Sequence, residues 1–159
     1  MSHANAALIE RFYTAFQQLD AEGMNACYAG DALFRDPVFG ELRGNEIGDM
    51  WRMLTQRAQG FSVSFSGVEA TAEAGSANWV ANYIFTQSKR PVVNRVHSRF
   101  LFRDGRIVEQ HDAFDLWTWS RQALGIKGAL LGWTPFMKDA IRAQARKGLD
   151  AYRAKAARS

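Results

Sequence analysis

One cysteine, Cys27, in a chain of 159 residues excludes an intrachain disulfide framework and fits a reducing compartment. No basic residue stands beside it, so an inert buried thiol is expected instead of a nucleophile. No apolar run approaches the roughly 20 residues of a membrane span. The first ten residues lack a charged region followed by an apolar stretch, so no leader peptide is evident. Glycine-rich phosphate loops, a nucleophile elbow and a Cys/His pair are missing. His97 and His111 have no third ligand at usable spacing, and His3 lies in an unanchored terminus. Neither a metal nor a cofactor is therefore expected, and the reading is of a cytoplasmic protein.

Acidic charge is scarce only at one end. Residues 1–120 carry 11 Lys/Arg against 14 Asp/Glu, whereas residues 121–159 carry 9 against 2, so the overall +4 belongs to the tail. A basic tail can attract nucleic acid or an anionic membrane. Here the basic residues lack aromatic interleaving and any nucleic-acid motif, so a solvated helix face is expected, with neither nucleic acid nor membrane as partner. What the chain has in quantity is aromatic surface: five Trp and eleven Phe, enough to line a cavity as well as fill a core.

The periodicity runs from helices to strands and back to helix. Leu8, Phe12, Phe16 and Leu19 form one stripe over Ala6 to Leu19. Met24 to Tyr28 reads as a short second helix ended by Gly30, and residues 32–36 as a strand stopped by Pro37. Gly40 and Gly44 bracket a turn, and Asn45 is placed to cap a third helix carrying Ile47, Met50, Trp51 and Leu54. From Phe61 the period changes to two. Strands are expected at 61–66, 76–88, 92–103 and 106–115, separated by Glu73-Ala74-Gly75, Lys89-Arg90-Pro91 and Arg103-Asp104-Gly105. This order predicts an α+β domain, an antiparallel meander with the early helices on one face.

Two stretches carry the chemistry. Phe34-Arg35-Asp36-Pro37-Val38 and Gln110-His111-Asp112-Ala113-Phe114-Asp115 each set an aspartate among apolar and aromatic residues. A carboxylate on such a surface is costly unless paired, hydrogen-bonded or protonated, and two sharing a pocket are candidates for acid/base work. Strand parity puts Asp112 on one face with Val108, Gln110 and Phe114. Val96, Ser98, Phe100 and Phe102 share that face on the preceding strand, and Trp79, Ala81, Tyr83 and Phe85 on the one before. The other face shows Arg95, His97, Arg99, Glu109 and His111. A mostly aromatic inner face suits a flat apolar ligand, although a filled core with satisfied carboxylates would show the same pattern.

The order of elements, with Asp36-Pro37-Val38, Gly40, Arg43-Gly44 and the ending Gly105-Arg106-Ile107 to Asp115, resembles the nuclear transport factor 2-like superfamily over residues 5–117. That superfamily includes ketosteroid isomerases, SnoaL polyketide cyclases and limonene epoxide hydrolases. The resemblance implies a cone: a curved antiparallel sheet with the N-terminal helices packed on its concave face. It places Asp36 at the isomerase general base, and equally at the asparagine that positions water in the hydrolases. Asp112 falls at the hydrolase acid. Phe12 stands where the isomerase has its oxyanion tyrosine, Ser98 where it has a protonated aspartate, and Tyr83 and Phe85 where the hydrolase has Arg-x-Asp. Neither mechanism therefore transfers intact. In this superfamily the outer sheet face commonly makes a dimer, so a homodimer through Arg95, His97, Arg99, Glu109 and His111 is expected.

Residues 1–117 are thus read as the family domain and 118–159 as a helical extension. Thr134-Pro135 is a helix start, with Met137, Ile141, Ala145, Leu149 and Tyr152 as its stripe. Residues 125–133 read as a lid over the pocket or, equally, as a packing strap. The candidate site has Asp36 and Asp112 as catalytic carboxyls, with Phe12, Phe34, Trp51, Trp79, Tyr83, Phe85, Ser98, Phe100, Gln110 and Phe114 around a small apolar molecule. Cofactor-free acid/base chemistry of isomerase, cyclase or epoxide-hydrolase type is one expectation. A non-catalytic binding or carrier module is the other.

Overall fold

The computed structural model describes residues 3–158. Helix α1 (Ala4–Gln17) buries Leu8, Ile9, Phe12, Tyr13 and Phe16, and α3 (Asn45–Arg57) buries Ile47, Met50, Trp51 and Met53. Their apolar side chains recur every three or four residues, so each helix has one face to bury. Both faces pack on a curved six-stranded sheet of β1 (Tyr28–Asp36), β2 (Gly40–Arg43), β3 (Ser62–Ala70), β4 (Ala74–Phe85), β5 (Arg90–Arg103) and β6 (Arg106–Ala113). The strand order is β2-β1-β6-β5-β4-β3. Register shifts in the β3–β4, β5–β6 and β1–β6 pairs fall where a curved sheet must bend. This is the α+β cone expected from the sequence.

Four local expectations need correction. The sheet is mixed, because β1 pairs parallel with β6 while every other neighbour is antiparallel. A parallel neighbour needs a long crossover, which the intervening helices and strands supply. The second helix, α2 (Ala21–Asn25), starts earlier because the Asp20 carboxylate accepts the Gly23 N–H at 3.0 Å. Tyr28 and Gly30 thereby pass into β1, which has a partner on each side. The segment between Gly40 and Gly44 is strand β2, with the two glycines at φ +69° and +56° making its ends. Finally, Asn45 does not cap α3: Gly44 holds the cap position without a side-chain bond, and the Glu46 carboxylate accepts the Arg43 N–H at 3.0 Å.

Three further helices follow: α4 (Leu116–Leu124), α5 (Ile126–Leu131) and α6 (Pro135–Ala157). The Thr134 hydroxyl caps α6 by accepting the Met137 N–H at 3.1 Å, as its sequence suggests. Met137, Ile141 and Leu149 are its buried residues. Two apolar clusters result. The larger joins α1, α3 and the sheet; the smaller joins Val92, Leu116, Trp119, Ala123, Met137 and Ile141. Tyr83 and Phe114 pack against both. Among the described residues no helix is long and apolar enough to cross a membrane, and no group of side chains could hold a metal ion.

Candidate active site

The two clusters leave a cavity of about 420 Å³ between them. Its floor comes from the sheet, through Trp79, Ala81, Tyr83, Asp112 and Phe114, and one wall from Phe16, Met50 and Trp51 of α1 and α3. The opposite wall is Trp119 of α4 with Met137 and Ile141 of α6. Parity along β6 explains why Asp112 faces inward: Gln110 and Asp112 are buried, while Glu109, His111 and Ala113 are exposed. The β5–β6 register shift breaks that parity below Glu109, so Ile107 is buried in the place expected for Val108.

Asp36 and Asp112 border this one cavity. At each carboxyl, Oδ1 is taken. Asp36 Oδ1 accepts the backbone N–H groups of Val38 at 2.9 Å and Phe39 at 2.6 Å, a turn that strand β1 makes as it meets Pro37. Asp112 Oδ1 accepts the Ser98 hydroxyl at 2.6 Å and the Gln110 amide at 3.0 Å. Ser98 Oγ in turn accepts from Tyr13 Oη and Trp79 Nε1, both at 2.8 Å. Gln110 Oε1 accepts from Tyr28 Oη at 2.5 Å, and that hydroxyl accepts from Trp51 Nε1 at 3.0 Å. Indole N–H groups only donate. Both chains therefore end in a group of fixed direction and deliver their last proton to Asp112 Oδ1. No donor among the described residues reaches Oδ2 of either aspartate, so a proton on either carboxyl belongs on Oδ2.

Burial pushes Asp36 up to about 7, with the Asp112 charge adding to the effect and the bonds from Phe39 and Val38 opposing it. Burial also pushes Asp112 up to about 6, against the bonds from Ser98 and Gln110. Both carboxyls are thus raised toward neutrality, chiefly by burial. Arg57, Asn94, Lys127 and Gln144 also border the cavity, and to these Tyr83 adds a phenol hydroxyl. Its oxygen accepts from Trp119 Nε1 at 2.7 Å, which leaves its own proton without an acceptor among the described residues. Burial, with Asp36 nearby, raises its pKa to about 12, so it stays a hydroxyl donor.

Of the residues read from the sequence, Asp36, Trp51, Trp79, Tyr83, Phe85, Asp112 and Phe114 line the cavity. Ser98 and Gln110 lie beneath it as the donors to Asp112. Phe12, Phe34 and Phe100 are fully buried away from it, packed edge-on against one another's neighbours in the aromatic core. Phe12 does not take part in the polar network; the adjacent Tyr13 does, because it is Tyr13 that α1 turns toward Ser98. Tyr28, expected at the end of a helix, opens β1 instead and joins the network from there. The α4 and α6 wall was signalled only by the stripe Met137, Ile141, Ala145. Within 125–133 only Lys127 reaches the cavity, while Ile126, Leu130, Leu131 and Trp133 are exposed. Cys27 is buried, and burial raises its thiol pKa.

Among solved structures, the chain is similar to an epoxide hydrolase of limonene-hydrolase type from M. tuberculosis, at 23% identity and TM-score 0.65, over 82% of this chain and 97% of that one. It is also similar to a protein of ketosteroid isomerase-like fold from Catenulispora acidiphila, at 15% identity and TM-score 0.66, over 80% and 97%. A third, a candidate polyketide cyclase from Silicibacter sp., shares 21% identity and TM-score 0.66 over 76% and 96%. These likenesses show the fold. No curated protein matches the chain. The sequence itself matches the SnoaL-like domain over residues 9–110, which take in most of α1, all of α2 and α3 and most of the sheet, and the chain belongs to that family.

Proposed function

We propose that this protein is an enzyme that moves a proton on a small apolar molecule without a cofactor, using Asp112 as base and Asp36 as acid. One observation carries the reading: two carboxyls border one largely apolar cavity, each with Oδ1 filled and Oδ2 open. The protein neighbours named for epoxide hydrolysis and polyketide cyclisation are consistent with such chemistry, since both reactions need paired acid and base groups.

Burial raises both carboxyls toward neutrality, so one can hold a proton while the other is ionised. The ionised role is given to Asp112, whose Oδ1 already accepts the Ser98 hydroxyl and the Gln110 amide. Ionised Asp112 then accepts a proton from an acidified C–H or from water through Oδ2. Charge developing on a substrate oxygen meets the Tyr83 hydroxyl and the proton on Asp36 Oδ2, which passes to that oxygen. One proton enters Asp112 and one leaves Asp36, so the pair ends each pass with its charge unchanged. The resemblance implies the reverse roles, Asp36 as base and Asp112 as proton donor.

2-Tetralone, a flat apolar ketone with acidic α-hydrogens, tests the reading. In D₂O the protein should speed deuterium entry at the α-carbon, and Asp112→Asn should lose about 10²–10⁴ of that rate. Equal exchange by wild type and by Asp112→Asn would refute catalysis. Binding of 2-tetralone without exchange would instead favour a carrier.

A further inference from the structure

Four large apolar side chains, Ile126, Leu130, Trp133 and Phe136, are exposed at 80%, 66%, 64% and 79%. They lie together along α5 and the start of α6; Ile126 and Leu130 are one turn apart, and Trp133 Nε1 donates to the Leu130 carbonyl at 3.0 Å. Their outward direction is built in. Gly128 and Gly132 turn the other side of α5 onto Ser120 of α4, where an added Cβ would overlap Ser120 atoms at both positions. With one side fixed so closely, the apolar side must face out.

Between Asp115 and Asp139 the charge beside this patch has one sign. Residues 116–138 contain Arg121, Lys127 and Lys138 and no Asp or Glu. Farther along α6 three arginines are matched, Arg142 with Asp139, Arg146 with Glu46 and Asp150, and Arg153 with Glu46 and Asp49, whereas Lys147 and Lys155 form no ion pair among the described residues. Lys127 and Lys138 form no ion pair among the described residues. The patch also adjoins the cavity, since Lys127, Met137 and Ile141 line it.

We infer that this corner of the molecule seats on an anionic lipid surface, with Ile126, Leu130, Trp133 and Phe136 in the interface and Lys127 and Lys138 among the headgroups. An apolar face carrying Trp and Phe, rimmed by lysine, is the pattern of a helix lying in a bilayer surface, and no span is needed. A second copy is the poorer occupant, because a two-fold contact through this patch would bring its cations against their own images. Seating here sets the cavity beside the lipid, so an apolar ligand can enter from the bilayer. The inference stands whether the cavity is catalytic or a carrier's, and it replaces the sequence expectation of no membrane contact.

The test uses the full chain and sedimenting vesicles of phosphatidylcholine with phosphatidylglycerol, roughly three to one. The chain should co-sediment with these vesicles and about tenfold less with phosphatidylcholine alone. Leu130→Ser with Trp133→Ser should lower partitioning about tenfold, with circular dichroism unchanged. Lys127→Glu should lower it for the anionic vesicles only. For a readout free of any variant, acyl-brominated lipid should quench the tryptophan emission of the wild-type chain. Absence of both co-sedimentation and quenching overturns the inference. So does a Leu130→Ser, Trp133→Ser protein that binds vesicles as before, or one that falls from dimer to monomer, since the patch would then join two copies.

Discussion

Asp36 and Asp112 carry their charge in surroundings that favour the neutral acid, and this has consequences for both rate and stability. If turnover needs Asp112 ionised and Asp36 protonated, the rate should fall below about pH 6 and above about pH 7, the values to which burial lifts the two groups. Asp36→Asn should remove the alkaline limb as well as most of the activity; an alkaline limb that persists unchanged assigns the acid elsewhere. The same groups bear on folding. Each folded pKa lies above the ordinary carboxyl value of 3.8, so the stability they contribute is present below about pH 4 and is lost as pH rises through 6 and 7. Asp112→Asn keeps an oxygen for Ser98 and Gln110 to bond while removing the buried charge. It should therefore unfold at higher urea than wild type at pH 8, by roughly 2–3 kcal/mol, and show little difference at pH 4.

Helices α4, α5 and α6 form one wall of the cavity, and their placement depends on close contacts rather than on propensity. Trp119 of α4 holds the Tyr83 hydroxyl, and Arg142 of α6 donates to the Pro37 carbonyl at 3.1 Å, tying α6 to the turn that holds Asp36. Helix α5 is held by the glycine contact with Ser120 and by Trp117 Nε1 donating to the Ala129 carbonyl at 3.1 Å. Gly128→Ala would push α5 away from α4, because the obstructing atom is the backbone oxygen of Ser120. A loss of about 1–3 kcal/mol is expected in urea unfolding, together with faster exchange of the α5 amides. Unchanged exchange there would mean that α5 is held by contacts other than this one.

At the scale of the molecule, the outer sheet face of β5 and β6 displays Arg95, His97, Arg99, Glu109 and His111, with Leu101 44% exposed among them. We expect two copies to pair there, a face separate from the apolar corner on α5. Sedimentation at micromolar concentration should give about twice 17.9 kDa, and Leu101→Arg should return the protein to a monomer. A monomer in the unmodified chain would count against this pairing.

What the sequence determined on its own was whatever depends on local period and chain order. The stripe of α1, the period-two strands, the Thr134 cap and the inward parity of Asp112 all follow from the spacing of neighbouring residues, and the Asp36-Pro37 and Asp112 segments pointed to the fold and to both carboxyls. The tertiary structure decided what depends on pairing across distance. Tyr28 belongs to a strand because β6 and β2 are there to receive β1, a partner seventy-nine residues away in register with Ile107. Tyr13 instead of Phe12 reaches the site because α1 is rotated by its packing on the sheet. The cavity exists because the α4–α6 cluster and the central core meet through Tyr83 and Phe114 without closing the space between them, and the outward turn of α5 is fixed by two glycines against Ser120. Hydrogen-bond direction, burial and the resulting pKa of Asp36 and Asp112 likewise depend on neighbours supplied by separate elements, and no local pattern in a single chain encodes those distances.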